Sequence, residues 1–134
     1  ALRVAKKNAL LNSVPVNFIM LNILKTTQLP QKYNLIVSNP PYVRELEKVE
    51  ISANVLENEP HLALFVANKN PLVFYDKIAD LAKQQLNENG MLFFEINQYL
   101  GKETVKMLEE KGFQNIQLKK DLSGNDRMLL CRLA

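Results

Sequence analysis

The sequence predicts an α/β fold: an open, mostly parallel sheet whose last strand runs antiparallel to its neighbour. Three observations predict it. Short apolar runs alternate with amphipathic helical stretches along the chain, the pattern of an open α/β sheet. The apolar runs are continuous, as in strands covered by helices on both faces. The last two strands are separated only by the turn Ser123-Gly124-Asn125-Asp126, too short for anything but an antiparallel hairpin.

The elements follow in order. Leu2 to Leu11 places Leu2, Ala5 and Ala9 on one helical stripe, with Arg3, Lys6 and Lys7 beside it. Pro15 closes the connection. Val16 to Ile23, with Phe18, Ile19, Met20 and Leu21, reads as a short buried strand, and the polar Lys25 to Lys32, containing Pro30, as a loop. Tyr33 to Ser38 is a second apolar strand. It stops at Asn39-Pro40-Pro41-Tyr42, because proline has no N–H for a central ladder. Val43 to Pro60 is charged and aperiodic, a loop long enough to be either a solvated segment or a lid over substrate.

Asn70 is a candidate N-cap, Pro71 fits a first helical position, and Asn89-Gly90 is the expected stop of that helix. Its apolar face is Phe74, Ile78, Leu81 and Ala82, with Tyr75 also in the core. Met91 to Ile96 follows as a continuous apolar strand. Lys102 to Lys111 is a helix with Val105 and Leu108 inward and Gly112 at its end. Asn115 to Lys120 turns Ile116 and Leu118 inward, and Arg127 to Leu133 closes the sheet. Cys131 lies among Leu129, Leu130 and Leu133 and reads as core. Asp126 and Arg127 read as a structural pair without chemistry.

Composition bounds the function. At 134 residues and 15.3 kDa, with 47% hydrophobic and 23% charged residues, the chain has the make-up of one globular domain. No run approaches the roughly 18 apolar residues of a membrane span, and Ala1 to Leu11 has no continuous apolar core of a signal peptide. The single cysteine excludes a disulfide framework and a Cys-rich zinc site and fits a reducing, cytoplasmic setting. No metal set is expected, and the lone His61 reads as a loop or packing residue. A net charge of +3 on scattered, mixed-sign charges points to solubility rather than to nucleic acid.

The chemistry is concentrated at Asn39-Pro40-Pro41-Tyr42. In open α/β sheets, ligands bind beyond the carboxyl ends of the strands, where this motif lies. The residue before a proline is pushed to extended geometry, so Asn39 and Pro40 are both restricted. The Pro40 carbonyl and the Asn39 side-chain carbonyl then form two fixed acceptors suited to both hydrogens of a planar NH2 group. Tyr42 offers a flat ring for a planar amide or base. An amide or exocyclic nitrogen is a poor nucleophile because its lone pair is delocalised. Acceptors on its hydrogens orient that lone pair, and for in-line attack on a sulfonium methyl, positioning is most of the catalysis.

These residues, placed after Leu35-Ile36-Val37-Ser38, resemble the signature of S-adenosylmethionine-dependent amino-group methyltransferases. Glu59-Pro60-His61-Leu62-Ala63-Leu64, Glu95, and Gly124-Asn125-Asp126-Arg127 are similar to segments of the HemK/PrmC family, the release-factor glutamine N5-methyltransferases. The resemblance covers nearly the whole chain. It implies a Rossmann-like class I methyltransferase sheet with a reversed last strand, and S-adenosyl-L-methionine as methyl donor. The implied substrate is a glutamine in the Gly-Gly-Gln loop of a peptide-chain release factor. By resemblance, Asn39 and the Pro40 carbonyl hold the target amide, Pro41 and Tyr42 complete its site, and Asn39 also lies near the cofactor. Asn22 and Ile23 stand where the family carries an acidic residue and an apolar residue beside the adenine. Glu95 is placed either near the site or as a structural strand end.

The sequence also departs from the family. Its four glycines are dispersed, so the family's Gly-rich cofactor loop and the acidic ribose partner have no counterpart here. Residues 1–134 are therefore expected to be the C-terminal portion of a single methyltransferase domain, truncated at the N-terminus and inactive by itself. Strand edges left open would then allow self-association. Two other readings stay open: an N6-adenine methyltransferase acting on DNA or RNA, and a non-catalytic α/β fragment that only binds a partner.

Overall fold

The computed structural model describes residues 1–44, 47–48, 53–58, 60, 64–66 and 69–133. Helix α1 (Leu2–Leu11) leads through an extended segment and a 3-10 turn (Ile23–Lys25) to strand β1 (Tyr33–Ser38). Beyond the proline motif come β2 (Val43–Arg44), α2 (Ala53–Asn58) and β3 (Phe65–Val66). The remainder is α3 (Val73–Gln85), β4 (Leu86–Glu95), α4 (Gly101–Glu110), β5 (Phe113–Lys120) and β6 (Asp126–Leu133).

The main sheet has the order β1-β4-β6-β5. β1 is parallel to β4, while β6 lies between β4 and β5 and is antiparallel to both. Three of the four strands therefore point one way and the last is reversed, as the short turn before it requires. β2 and β3 form a separate parallel pair.

Side-chain alternation puts one face of this sheet into the core. Ile36, Leu92 and Cys131 share one cross-strand row, and Ser38, Phe94 and Leu129 the next. Leu92, Phe94, Leu129 and Cys131 are at most 2% exposed. Above them pack Tyr75, Ile78, Ala79 and Ala82 of α3 and Leu108 of α4. A buried leucine of this kind contributes about 2 kcal/mol through area removed from water. The Tyr75 and Phe94 rings meet edge-on with centroids 5.0 Å apart. The helices docked on the sheet thus share one face, whereas continuous apolar strands predicted cover on both. On β1 the opposite face is open, with Leu35 49% and Val37 70% exposed.

Polar ties fix the layers. The buried Gln85 side chain accepts from the Leu29 N–H and donates to the Leu29 carbonyl at 2.6 Å and the Gln31 carbonyl at 3.3 Å, pinning the loop before β1 to the end of α3. Lys111, after α4, reaches Asp80 at 2.6 Å and Asp76 at 3.1 Å on α3. Gly112 takes φ +89°, a left-handed turn into β5 for which glycine carries no Cβ penalty.

Four further sequence expectations are corrected. Val16 to Ile23 is not a strand: no neighbouring strand pairs with it among the described residues, and Val16, Ile19, Met20 and Leu21 are 48–85% exposed. Apolar content makes a strand only where a ladder partner takes up its backbone groups. Asn70 is not a helix cap; its carbonyl accepts from the Val73 N–H at 3.3 Å, a turn ahead of α3, whose N-cap position is Leu72. Asn89-Gly90 does not end α3 but lies inside β4. Between Tyr33↔Leu86 and Leu35↔Met91, β1 advances two residues and β4 five, so the extra residues bulge out, with Asn89 at φ +61°. Asp126 and Arg127 do not pair with each other: Asp126 meets Lys120 at 3.1 Å, and Arg127 meets Asp121 at 3.2 Å. Adjacent strand residues face opposite sides, which separates the two.

Candidate active site

Parallel pairing brings two sequence signals to one end of the sheet. Ser38 of β1 is in register with Phe94 of β4, so Asn39-Pro40-Pro41-Tyr42 and Glu95 leave the sheet side by side. Asn39, Pro40, Tyr42 and Glu95 line a cleft of about 400 Å³ with Val43, Val55 and Leu64. Pro40 is buried and Asn39 is exposed at its edge. No hydrogen bond among the described residues engages the Asn39 amide or the Pro40 carbonyl. Two acceptors on a conformationally restricted dipeptide are thus left for something other than the fold.

Tyr42 is held at its hydroxyl and at its main-chain carbonyl. Its hydroxyl donates to Glu95 Oε1 at 2.5 Å, and its main-chain carbonyl accepts from Asn97 Nδ2 at 2.9 Å. Arg127 Nη1 lies 3.4 Å from the hydroxyl, with the guanidinium 5.9 Å from the ring centroid. Burial pushes the Tyr42 phenol up to about 12, with Glu95 adding to the rise and Arg127 opposing it. The phenol therefore keeps its proton at neutral pH and donates it to Glu95.

Behind Tyr42 lies a buried polar cluster. Asn97 is 2% exposed and Glu47 7%. Asn97 Nδ2 also donates to Glu47 Oε2 at 2.8 Å, its Oδ1 accepts from the Tyr99 N–H at 2.9 Å, and Arg44 pairs with Glu47. A cleft of about 200 Å³ opens here between Tyr42, Glu47, Asn97, Gln98 and Arg127.

A third cavity, of about 270 Å³ and apolar, shares Pro40 with the first. Ile23, Ile36, Pro41, Phe74 and Ile78 are among its other walls. The structure thus brings Ile23 to the motif, where it could face a planar base. Asn22 is not drawn in: it is exposed, and its carbonyl accepts from Thr26 Oγ1 at 2.8 Å and from the Lys25 N–H at 3.0 Å. His61 and most of Glu59-Pro60-His61-Leu62-Ala63-Leu64 lie outside the described residues.

Sequence reasoning missed Glu47, Asn97 and the contact of Arg127 with Tyr42. The signal for Asn97 was a polar residue just past the carboxyl end of a central strand. Glu47 carried no such signal within a charged stretch. Among the described residues no helix is long and apolar enough to cross a membrane.

The chain is similar to known methyltransferases. Residues 1–64 match the family model described as "Methyltransferase small domain". The chain is 61% identical over 129 residues to a protein of Flavobacterium psychrophilum named release factor glutamine methyltransferase, covering 96% of this chain and 45% of the relative. A protein of the same name from Bacteroides thetaiotaomicron is 42% identical over 130 residues, covering 96% of this chain and 47% of the relative. The chain therefore spans about half the length of the curated relatives it matches. A crystal structure of a release factor-specific protein-(glutamine-N5) methyltransferase from Alicyclobacillus acidocaldarius aligns with TM-score 0.48 and 24% identity, over 77% of this chain and 50% of that one.

Proposed function

We propose that this chain belongs, over the segment it spans, to the HemK/PrmC methyltransferase family, a reading its 61% and 42% identical relatives support, and that it carries the amide-gripping part of an enzyme that methylates a glutamine side chain. The substrate is a glutamine of a peptide-chain release factor, in its Gly-Gly-Gln loop, and residues 1–134 are the C-terminal portion of one methyltransferase domain. The observation that carries the reading is the pair of unengaged acceptors, Asn39 and the Pro40 carbonyl, at the cleft where Tyr42 is fixed.

In this reading the two acceptors take the two hydrogens of the amide NH2 and turn its lone pair out of conjugation with the carbonyl. Tyr42 flanks the amide plane, and Pro41 fixes the chain between them. The apolar cavity against Pro40 fits the base of an adenosyl group, with Ile23 and Phe74 as walls. When bound, S-adenosylmethionine supplies an electrophilic methyl on a sulfonium. The chain's own work is orientation: Asn39 and Pro40 hold the nitrogen in line, which replaces a bimolecular encounter by a positioned one. No strong base is needed first, because the nitrogen proton becomes acidic once the nitrogen is alkylated. The Gly-rich loop and acidic ribose partner implied by the family have no counterpart in the 134 residues, so we propose that this segment alone binds the methyl donor weakly and turns over no substrate.

The test is to incubate the full-length gene product with methyl-labelled S-adenosylmethionine, a release factor and, separately, an adenine-containing oligonucleotide. One methyl on a glutamine side chain is expected. Label on adenine alone, or on neither by a folded protein, overturns the reading.

A further inference from the structure

Tyr42 can flank a substrate amide only while its ring stays in one orientation, and nothing local in Asn39-Pro40-Pro41-Tyr42 provides that. The phenol is tied instead from β4 and β6. Glu95 Oε1 accepts a hydrogen bond from the phenol at 2.5 Å, a distance characteristic of a strong, charge-assisted bond. Arg127 stands on the other side, 3.4 Å from the hydroxyl oxygen.

Both ties are themselves anchored. The main-chain carbonyl of Glu95 accepts from the fully buried Tyr75 hydroxyl at 3.0 Å. Arg127 gives Nε to Asp121 at 3.2 Å and Nη1 to the Ile96 carbonyl at 3.2 Å. Asp121 in turn accepts from the N–H groups of Ser123 at 2.9 Å and Asn125 at 3.0 Å. A continuous line of contacts therefore runs from the β5–β6 turn through Asp121 and Arg127 to the phenol, and from the core through Tyr75 to Glu95.

Fold stability does not call for a carboxyl group here. Glu95 sits half-buried in the wall of the cleft that Asn39 edges, where a carboxylate loses hydration that an apolar side chain would not. The arrangement suits holding a ring whose angle matters.

We propose that Glu95, opposed by Arg127, is a positioning residue for methyl transfer that acts through the Tyr42 ring and not on the substrate. This rests on the reading of Asn39 and Pro40 as an amide grip. If Glu95 works only through Tyr42, its loss and the loss of the Tyr42 hydroxyl are one event, and the two losses do not multiply.

The experiment is a double-mutant cycle in the full-length gene product, with kcat and KM measured on a release factor. Glu95→Ala and Tyr42→Phe should each lower kcat about tenfold, with KM within about twofold, and the double variant should be no slower than Tyr42→Phe. Glu95→Gln keeps an acceptor oxygen and should recover most of kcat. Multiplied losses in the double variant, or an unchanged kcat in Glu95→Ala, overturn the proposal. A second readout needs no substrate: the carbon-13 signal of the Tyr42 Cζ, assigned by its absence in Tyr42→Phe, should move in Glu95→Ala and move less in Glu95→Gln. A stationary signal overturns the clamp. A signal that moves in a protein that methylates no glutamine overturns the reaction assignment instead.

Discussion

The buried Asn97 amide donates at 2.9 Å to the main-chain carbonyl of Tyr42, across 55 residues of sequence. That bond joins the end of β4 to the motif after β1. The same amide nitrogen meets the Glu47 carboxylate, so one side chain holds both the motif and the segment beyond it.

Asn97→Ala should accordingly destabilise the fold. It removes bonds to Tyr42, Glu47 and the Tyr99 N–H, leaving buried polar groups short of partners. The expected loss is about 2 to 3 kcal/mol, read as a lower urea midpoint at unchanged slope. A midpoint equal to wild type would show that the cluster does not support the fold.

Asn39→Ala should do the opposite. The side chain is exposed and makes no hydrogen bond among the described residues, so the unfolding free energy should change by less than about 0.5 kcal/mol. Methyl transfer by the full-length gene product should fall by about 100-fold or more, since one of two positioning acceptors is gone. Normal turnover would remove Asn39 from the mechanism.

Stability should fall at alkaline pH. Burial pushes the Cys131 thiol from 9.0 to about 12 and, as the largest cause, the Tyr42 phenol from 10.0 to about 12; it also raises Tyr75. Each folded value lies above the unfolded one, so the contribution is complete below pH 9 and is lost as pH rises from there toward 12. Urea midpoints measured from pH 8 to 11 should hold level and then decline. In the same series, a thiol reagent at pH 8 should label Cys131 only in urea, because the side chain is fully buried. A midpoint that rises with pH would contradict the sign.

Calorimetry of the 134-residue segment with S-adenosylmethionine should give weak or undetectable heat. Tight binding would show that the residues present suffice for the methyl donor, and that the Gly-rich loop implied by the family is not required.

Much of the fold was legible because its signals are local. The stripe Leu2, Ala5, Ala9 is the less exposed face of α1, and the apolar run Tyr33 to Ser38 is β1 with the bounds read from the chain. The turn at Ser123 to Asp126 reverses β6 as a two-strand hairpin must. Asn39-Pro40-Pro41-Tyr42 was readable for the same reason: two prolines restrict their own backbone and that of the residue before each.

What failed was non-local. Val16 to Ile23 has the composition of a strand, but strand formation depends on a partner that composition does not name. Asn89-Gly90 has the chemistry of a stop, and became a bulge because β4 had to meet β1 in register. The sequence by itself determined the α/β pattern, the reversed last strand and the motif's two rigid acceptors, since backbone restriction and turn length act over a few residues. Only the tertiary structure decided what holds Tyr42: Glu95, Asn97 and Arg127 lie 53, 55 and 85 residues away, and sheet pairing alone brings them to the phenol and its backbone.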